Sequence, residues 1–75
     1  MFWFGVIKKR NGQIKYGVGA ISMATTQESF LSDFLDFESG DIVLDLYQSN
    51  IMTQKYFKEY VHEKFLKISS KKKKN

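Results

Sequence analysis

The chain of 75 residues has no cysteine, no proline, one tryptophan and one histidine. Without cysteine there is no disulfide and no thiol nucleophile. A structural zinc would have only His62 and carboxylates as ligands. The absence fits any redox compartment. With a single histidine, Ser-His-Asp catalysis would have to run through His62. That residue falls on the charged side of a predicted helix and reads as a solvated surface group. A long apolar run is missing too. Met1 to Ile7 is apolar, but a membrane-spanning helix needs about 20 residues. A signal peptide carries its charges before the apolar stretch, whereas Lys8-Lys9-Arg10 follow this one. The segment reads as a strand. The expectation is a cytoplasmic protein with no membrane partner.

A chain this short makes one domain. Its core leaves about 3–5 kcal/mol of stability unless something reinforces it. With no disulfide, reinforcement must come from dense aromatic packing or from oligomerisation. Aromatic residues are 16% of the chain, which makes the first route available.

The formal net charge is +4. Lys71, Lys72, Lys73 and Lys74 form a terminal run, and without them basic and acidic residues balance. A basic isoelectric point would suggest a nucleic-acid or membrane-surface partner. Here only the tail carries that suggestion. Within the body, basic residues stand at 8, 9, 10 and 15, then at 55, 58, 64 and 67. The gap between holds Glu28, Asp33, Asp36, Glu38, Asp41 and Asp45.

Residues 2–21 predict a β-hairpin, because Asn11-Gly12 is a strong turn signal. As a two-residue type I′ loop it pairs Arg10 with Gln13 and Phe2 with Ile21. One face then carries Trp3, Gly5, Ile7, Ile14, Tyr16, Val18 and Ala20. The other carries Phe2, Phe4, Val6, Gly17, Gly19 and Ile21, with Lys8 and Lys15 near the turn. The glycines at 17 and 19 fit large side chains, Val6 and Phe4, lying across bare backbone.

Residues 25–37 predict an amphipathic helix. Thr25 and Glu28 have the spacing of a capping box. Phe30, Leu31, Phe34, Leu35 and Phe37 make its apolar stripe, and Gly40 is a candidate left-handed cap. Residues 42–47 predict a strand with Ile42, Leu44 and Leu46 on one side. Residues 53–68 predict a second helix with Tyr56, Phe57, Tyr60, Val61, Phe65 and Ile68 as its apolar positions. Lys55/Glu59 and Glu63/Lys67 are spaced to pair on its wet side. Residues 69–75 read as a disordered basic tail.

The expectation is a single α+β domain over 1–68, of order ββαβα. It is a two-layer arrangement, with an N-terminal hairpin and a third strand packed on two helices. A right-handed crossover sets strand three parallel to strand two, with a place beside strand one. Two helices on one sheet face would leave the other face apolar and wet, and a second copy would then cover it. The alternative has the helices divided between the two faces.

No motif carries catalysis. Glu59-x-x-His62 has the spacing of di-iron four-helix proteins, but two helices cannot supply that ligand set. Residues 36–47 do not fit an EF-hand loop, since Gly40 and Asp41 stand at positions five and six. Gly17-Val-Gly19 lacks the third glycine and the strand-to-helix context of a dinucleotide fingerprint. No metal or cofactor is expected, and the chain reads as a non-enzyme.

Binding is the remaining class. Phe2, Phe4 and Val6 on the sheet are candidate protein contacts, with Asp33, Asp36, Glu38 and Asp41 as an acidic patch for a basic surface. The expected partners are a second copy, forming a homodimer, and another protein. The alternative is nucleic acid. It would be held by the basic hairpin tip, Lys8, Lys9, Arg10 and Lys15, and by Lys71, Lys72, Lys73 and Lys74 of the tail. The composition, rich in Lys, Ile, Phe, Tyr and Asn, suits a small regulator or inhibitor from a phage or other mobile element that blocks a host protein.

Overall fold

A computed structural model describes residues 1–67. Five elements follow in the expected order: β1 (Phe2–Lys8), β2 (Ile14–Ala20), α1 (Gln27–Leu35), β3 (Ile42–Ser49) and α2 (Gln54–Lys64). The strands form one sheet in the order β2-β1-β3, with β1 antiparallel to both neighbours. β3 therefore runs parallel to β2 and lies beside β1, as the crossover argument expects. The tail lysines, Lys71 to Lys74, and Ile68 lie outside the described residues.

The hairpin register differs from expectation by one residue. Phe2 pairs with Ala20, Phe4 with Val18, Val6 with Tyr16 and Lys8 with Ile14. The loop has three residues rather than two. The Gly12 N–H donates to the Lys9 carbonyl at 2.8 Å, and the Lys9 N–H donates to Gln13 at 2.7 Å. Only Gly12 takes a positive φ, +94°. This is the type I turn followed by a left-handed glycine, the other hairpin that Asn-Gly supports. A one-residue slip exchanges the faces of a strand. Gly17 and Gly19 thus join Trp3, Gly5 and Ile7, while Tyr16 and Val18 join Phe4 and Val6.

Each face then meets its own helix. Trp3 and Ile7 pack with Ala24, Phe30, Leu31 and Leu35 of the α1 side. Phe4 and Val6 pack with Phe57 and Val61 of α2, rimmed by Tyr16, Val18 and Tyr47. The sheet is the middle of three layers, in place of the two-layer arrangement expected. Both sheet faces are covered from within the chain.

The glycine-lined face receives the bulk of α1. A Cβ at Gly5 would stand 2.8 Å from Phe30 Cε2 and 3.2 Å from Leu35 Cδ1. The bare backbone thus accommodates the helix, rather than the strand neighbours expected. The Trp3 indole N–H is satisfied in the core by the Ala24 carbonyl at 2.8 Å. On the other face Phe4 stacks on Tyr47 at 5.7 Å and meets Phe57 edge-on at 5.1 Å.

Helix ends moved slightly. The α1 N-cap is Thr26, whose hydroxyl accepts from the Ser29 N–H at 3.1 Å, so Thr25 is not the cap. Asp36, at φ +52°, is its left-handed C-cap, a role expected of Gly40. Thr53 caps α2 as expected, accepting from the Tyr56 N–H. Met52 just before that cap packs with the Phe57 cluster, which matches a hydrophobic staple.

β3 breaks its alternation. Val6 pairs with Asp45 but Ile7 pairs with Val43, leaving Leu44 as a bulged residue. Asp45 consequently faces α2 while Val43 shares the α1 side with Ile7.

Candidate functional site

The hairpin tip and the α1–β3 loop close on each other. Lys9 Nζ lies 2.5 Å from Asp41 Oδ2, 3.4 Å from Glu38 Oε1 and 2.6 Å from the Asp36 carbonyl. The Asp41 side chain is only 2% exposed. Its carboxylate also accepts the backbone N–H groups of Arg10 and Glu38, each at 2.9 Å. The hydrogen bond from Lys9 holds Asp41 below the ordinary carboxylate range, and the same bond raises Lys9. Beside this clasp, Lys15 pairs with Asp36 at 3.0 Å. The Arg10 side chain lies across Gly40, whose Cβ would meet Arg10 Cδ at 2.9 Å.

Two groups of candidate residues from opposite function classes are thus one internal structure. The acidic patch loses Asp41 to the clasp and shares Asp36 and Glu38 with lysines. Asp33 stays exposed on α1. The basic tip has Lys9 and Lys15 engaged in the chain, and Lys8 exposed. Of the three sheet residues, Phe4 and Val6 are core, at 1% and 0% exposure, and cannot contact a partner in the folded chain. Phe2 remains accessible at 43%.

His62 is not a free surface group. It is half-buried and its Nε2 lies 3.0 Å from the Tyr16 hydroxyl. The Lys55/Glu59 and Glu63/Lys67 pairs do not form; Lys64 instead donates to the Tyr60 hydroxyl at 3.0 Å. Tyr60 in turn donates to Asp45 at 2.8 Å. Tyr47 donates to Met52 Sδ at 3.3 Å, and burial, with Asp45 nearby, pushes its phenol up to about 12. No group of three or more potential metal-ligating side chains comes together among the described residues. None of their helices is long and apolar enough to cross a membrane.

Among the described residues, Met1, Met23 and Phe34 are exposed apolar side chains, and two further apolar surfaces bear on function. The first is the start of β3, where Ile42, Val43 and Leu44 are 58%, 38% and 36% exposed on an edge strand. The second is the end of the molecule away from the hairpin tip. There Phe2, Met52 and Thr53 line a groove of about 240 Å³, and a second of about 440 Å³, bordered by Ile51 and Tyr56, shares Met52 and Thr53 with it. Ile51 is 88% exposed. Sequence reasoning missed Ile42 and Ile51 as contact residues. Ile51 carried a usable signal, an isoleucine in a polar turn between Asn50 and the Thr53 cap.

In comparisons with known proteins, the chain matches no family model, no curated protein and no solved structure.

Proposed function

We propose that the chain is a small non-enzymatic protein-interaction module, a regulator or inhibitor that self-associates and binds a host or partner protein in the cytoplasm. The observation that carries this reading is the apolar surface left after both sheet faces are covered. Ile42, Val43 and Leu44 stand along an open edge, and Phe2, Ile51, Met52 and Tyr56 gather at the opposite end. Contiguous exposed apolar groups of this kind mark contact surfaces. The Met52 lining suits an adaptable one. Nucleic-acid binding through Lys8, Lys9, Arg10 and Lys15 has less support, because Lys9 and Lys15 already hold carboxylates.

The test places a photo-cross-linking residue at Ile51 of the full chain in its native cells. A discrete adduct should form, be competed by untagged chain and disappear in Tyr56→Asp. A folded chain that yields no competable adduct there, and sediments as a monomer at every concentration, overturns the reading.

A further inference from the structure

We propose that Met52 is a reversible oxidation site and that Tyr47 is the residue that receives its product. A peroxide converts the Met52 thioether to a sulfoxide, and the Tyr47 hydroxyl donates to the new oxygen. The chain stays folded while the wall shared by the two grooves turns polar.

Fixed elements build the pair. Tyr47 lies on β3 opposite Phe4, stacked on it at 5.7 Å, with Phe57 edge-on at 6.2 Å. Its ring is thereby held, and its hydroxyl donates to Met52 Sδ at 3.3 Å. Met52 is positioned through its backbone. The Ser49 hydroxyl accepts the N–H groups of Ile51 and Met52, at 3.2 and 3.1 Å, just before the Thr53 cap. A thioether is a weak acceptor, so the half-buried Tyr47 has a poor partner in it. A sulfoxide oxygen is a far better one. It stands one bond beyond the sulfur, so an O–H···O separation of about 2.7–2.8 Å is reached with little movement of either side chain.

Met52 is half-buried but lines both grooves, which gives a small oxidant access without unfolding. With hydrogen peroxide, a sulfur lone pair attacks one oxygen. The S–O bond forms as the O–O bond breaks, and sulfur gives up two electrons. The proton of the transferred oxygen passes to the departing one, which leaves as water. Methionine sulfoxide reductases reverse the change.

Met1 and Met23, at 59% and 73% exposure, undergo the same chemistry, but neither belongs to a core cluster. Met52 packs against the cluster of Phe4, Val6, Phe57 and Val61. A polar sulfoxide in such a place ordinarily disrupts the packing. Here the Tyr47 hydroxyl stands ready as its hydrogen-bond donor.

The full chain, Met52→Leu and Tyr47→Phe are each treated with hydrogen peroxide. Peptide mass spectrometry reads which methionines carry oxygen, and thermal unfolding is followed before and after. Met52→Leu conserves volume and corrects for Met1 and Met23. Tyr47→Phe keeps the ring and removes only the hydroxyl. Met52 should be oxidised in the folded chain, whose midpoint should fall no further than that of Met52→Leu. Tyr47→Phe should fall by about 4–8 °C more, the shift expected from one lost hydrogen bond in a chain of this size. A Met52 that resists while Met1 and Met23 convert overturns the site. Equal falls with and without the hydroxyl overturn the role of Tyr47. A native chain that falls further than Met52→Leu overturns it too, a readout independent of Tyr47→Phe.

Discussion

At Gly5 the missing side chain is a structural requirement. Phe30 and Leu35 of α1 fill the volume a Cβ would take. Gly5→Ala should overpack this face and destabilise the chain by about 1–3 kcal/mol in urea unfolding. Asp41 is a second residue with a measurable signature. Its folded-state pKa lies below the unfolded value, so the stability it contributes is present above the unfolded value, about pH 4. It is lost as pH falls through the lower, folded value. The Lys9 side behaves oppositely: its contribution is complete below the ordinary lysine range and lost as pH rises through the raised value. Asp41→Asn should flatten the acid limb of a stability profile below about pH 4. An unchanged acid limb would show that the clasp is not a stability determinant.

At the scale of elements, much was legible. The buried helix positions Phe30, Leu31, Leu35, Phe57 and Val61, the Thr53 cap and the strand at Ile42 follow from periodicity and capping chemistry, which act over a few residues, whereas Phe34 and Tyr56, expected on the apolar stripes, are exposed. Whatever needed distant partners was harder to read. Asn-Gly serves both two- and three-residue hairpin loops, and local sequence does not choose between them. The clasp joins residues 27 to 32 positions apart, so neither an acidic patch nor a basic tip could be seen as half of a pair. The Phe2 groove depends on how β1, β2 and the start of α2 meet. Capping offers a direct check at this scale. Thr26→Ala should cost about 1 kcal/mol, while Thr25→Ala should be near neutral. Equal effects would mean the α1 start is misplaced by one residue.

At the scale of the molecule, the three layers make the sheet dependent on two separate clusters. Phe30 and Phe57 are each almost fully buried, on opposite faces. Truncating either aromatic typically costs about 3–5 kcal/mol, as much as the whole stability of a chain this small. Phe30→Ala and Phe57→Ala should therefore both lose near-ultraviolet circular dichroism at room temperature. A chain that keeps one cluster ordered without the other would show that the layers fold independently.

The cross-strand pairing, and not the length of the loop, decides which face each β2 residue shows. Lys9 pairs with Gln13 across Arg10-Asn11-Gly12, and opposed residues share a face, so the β2 glycines turn toward α1 and Tyr16 and Val18 toward α2. The same pair can close over two residues as well as three. Deleting Asn11 should therefore change the turn and spare both clusters, whereas a slip that pairs Arg10 with Gln13 would set Tyr16 and Val18 against Phe30. Thermal unfolding of the deletion, followed by near-ultraviolet circular dichroism, distinguishes the two.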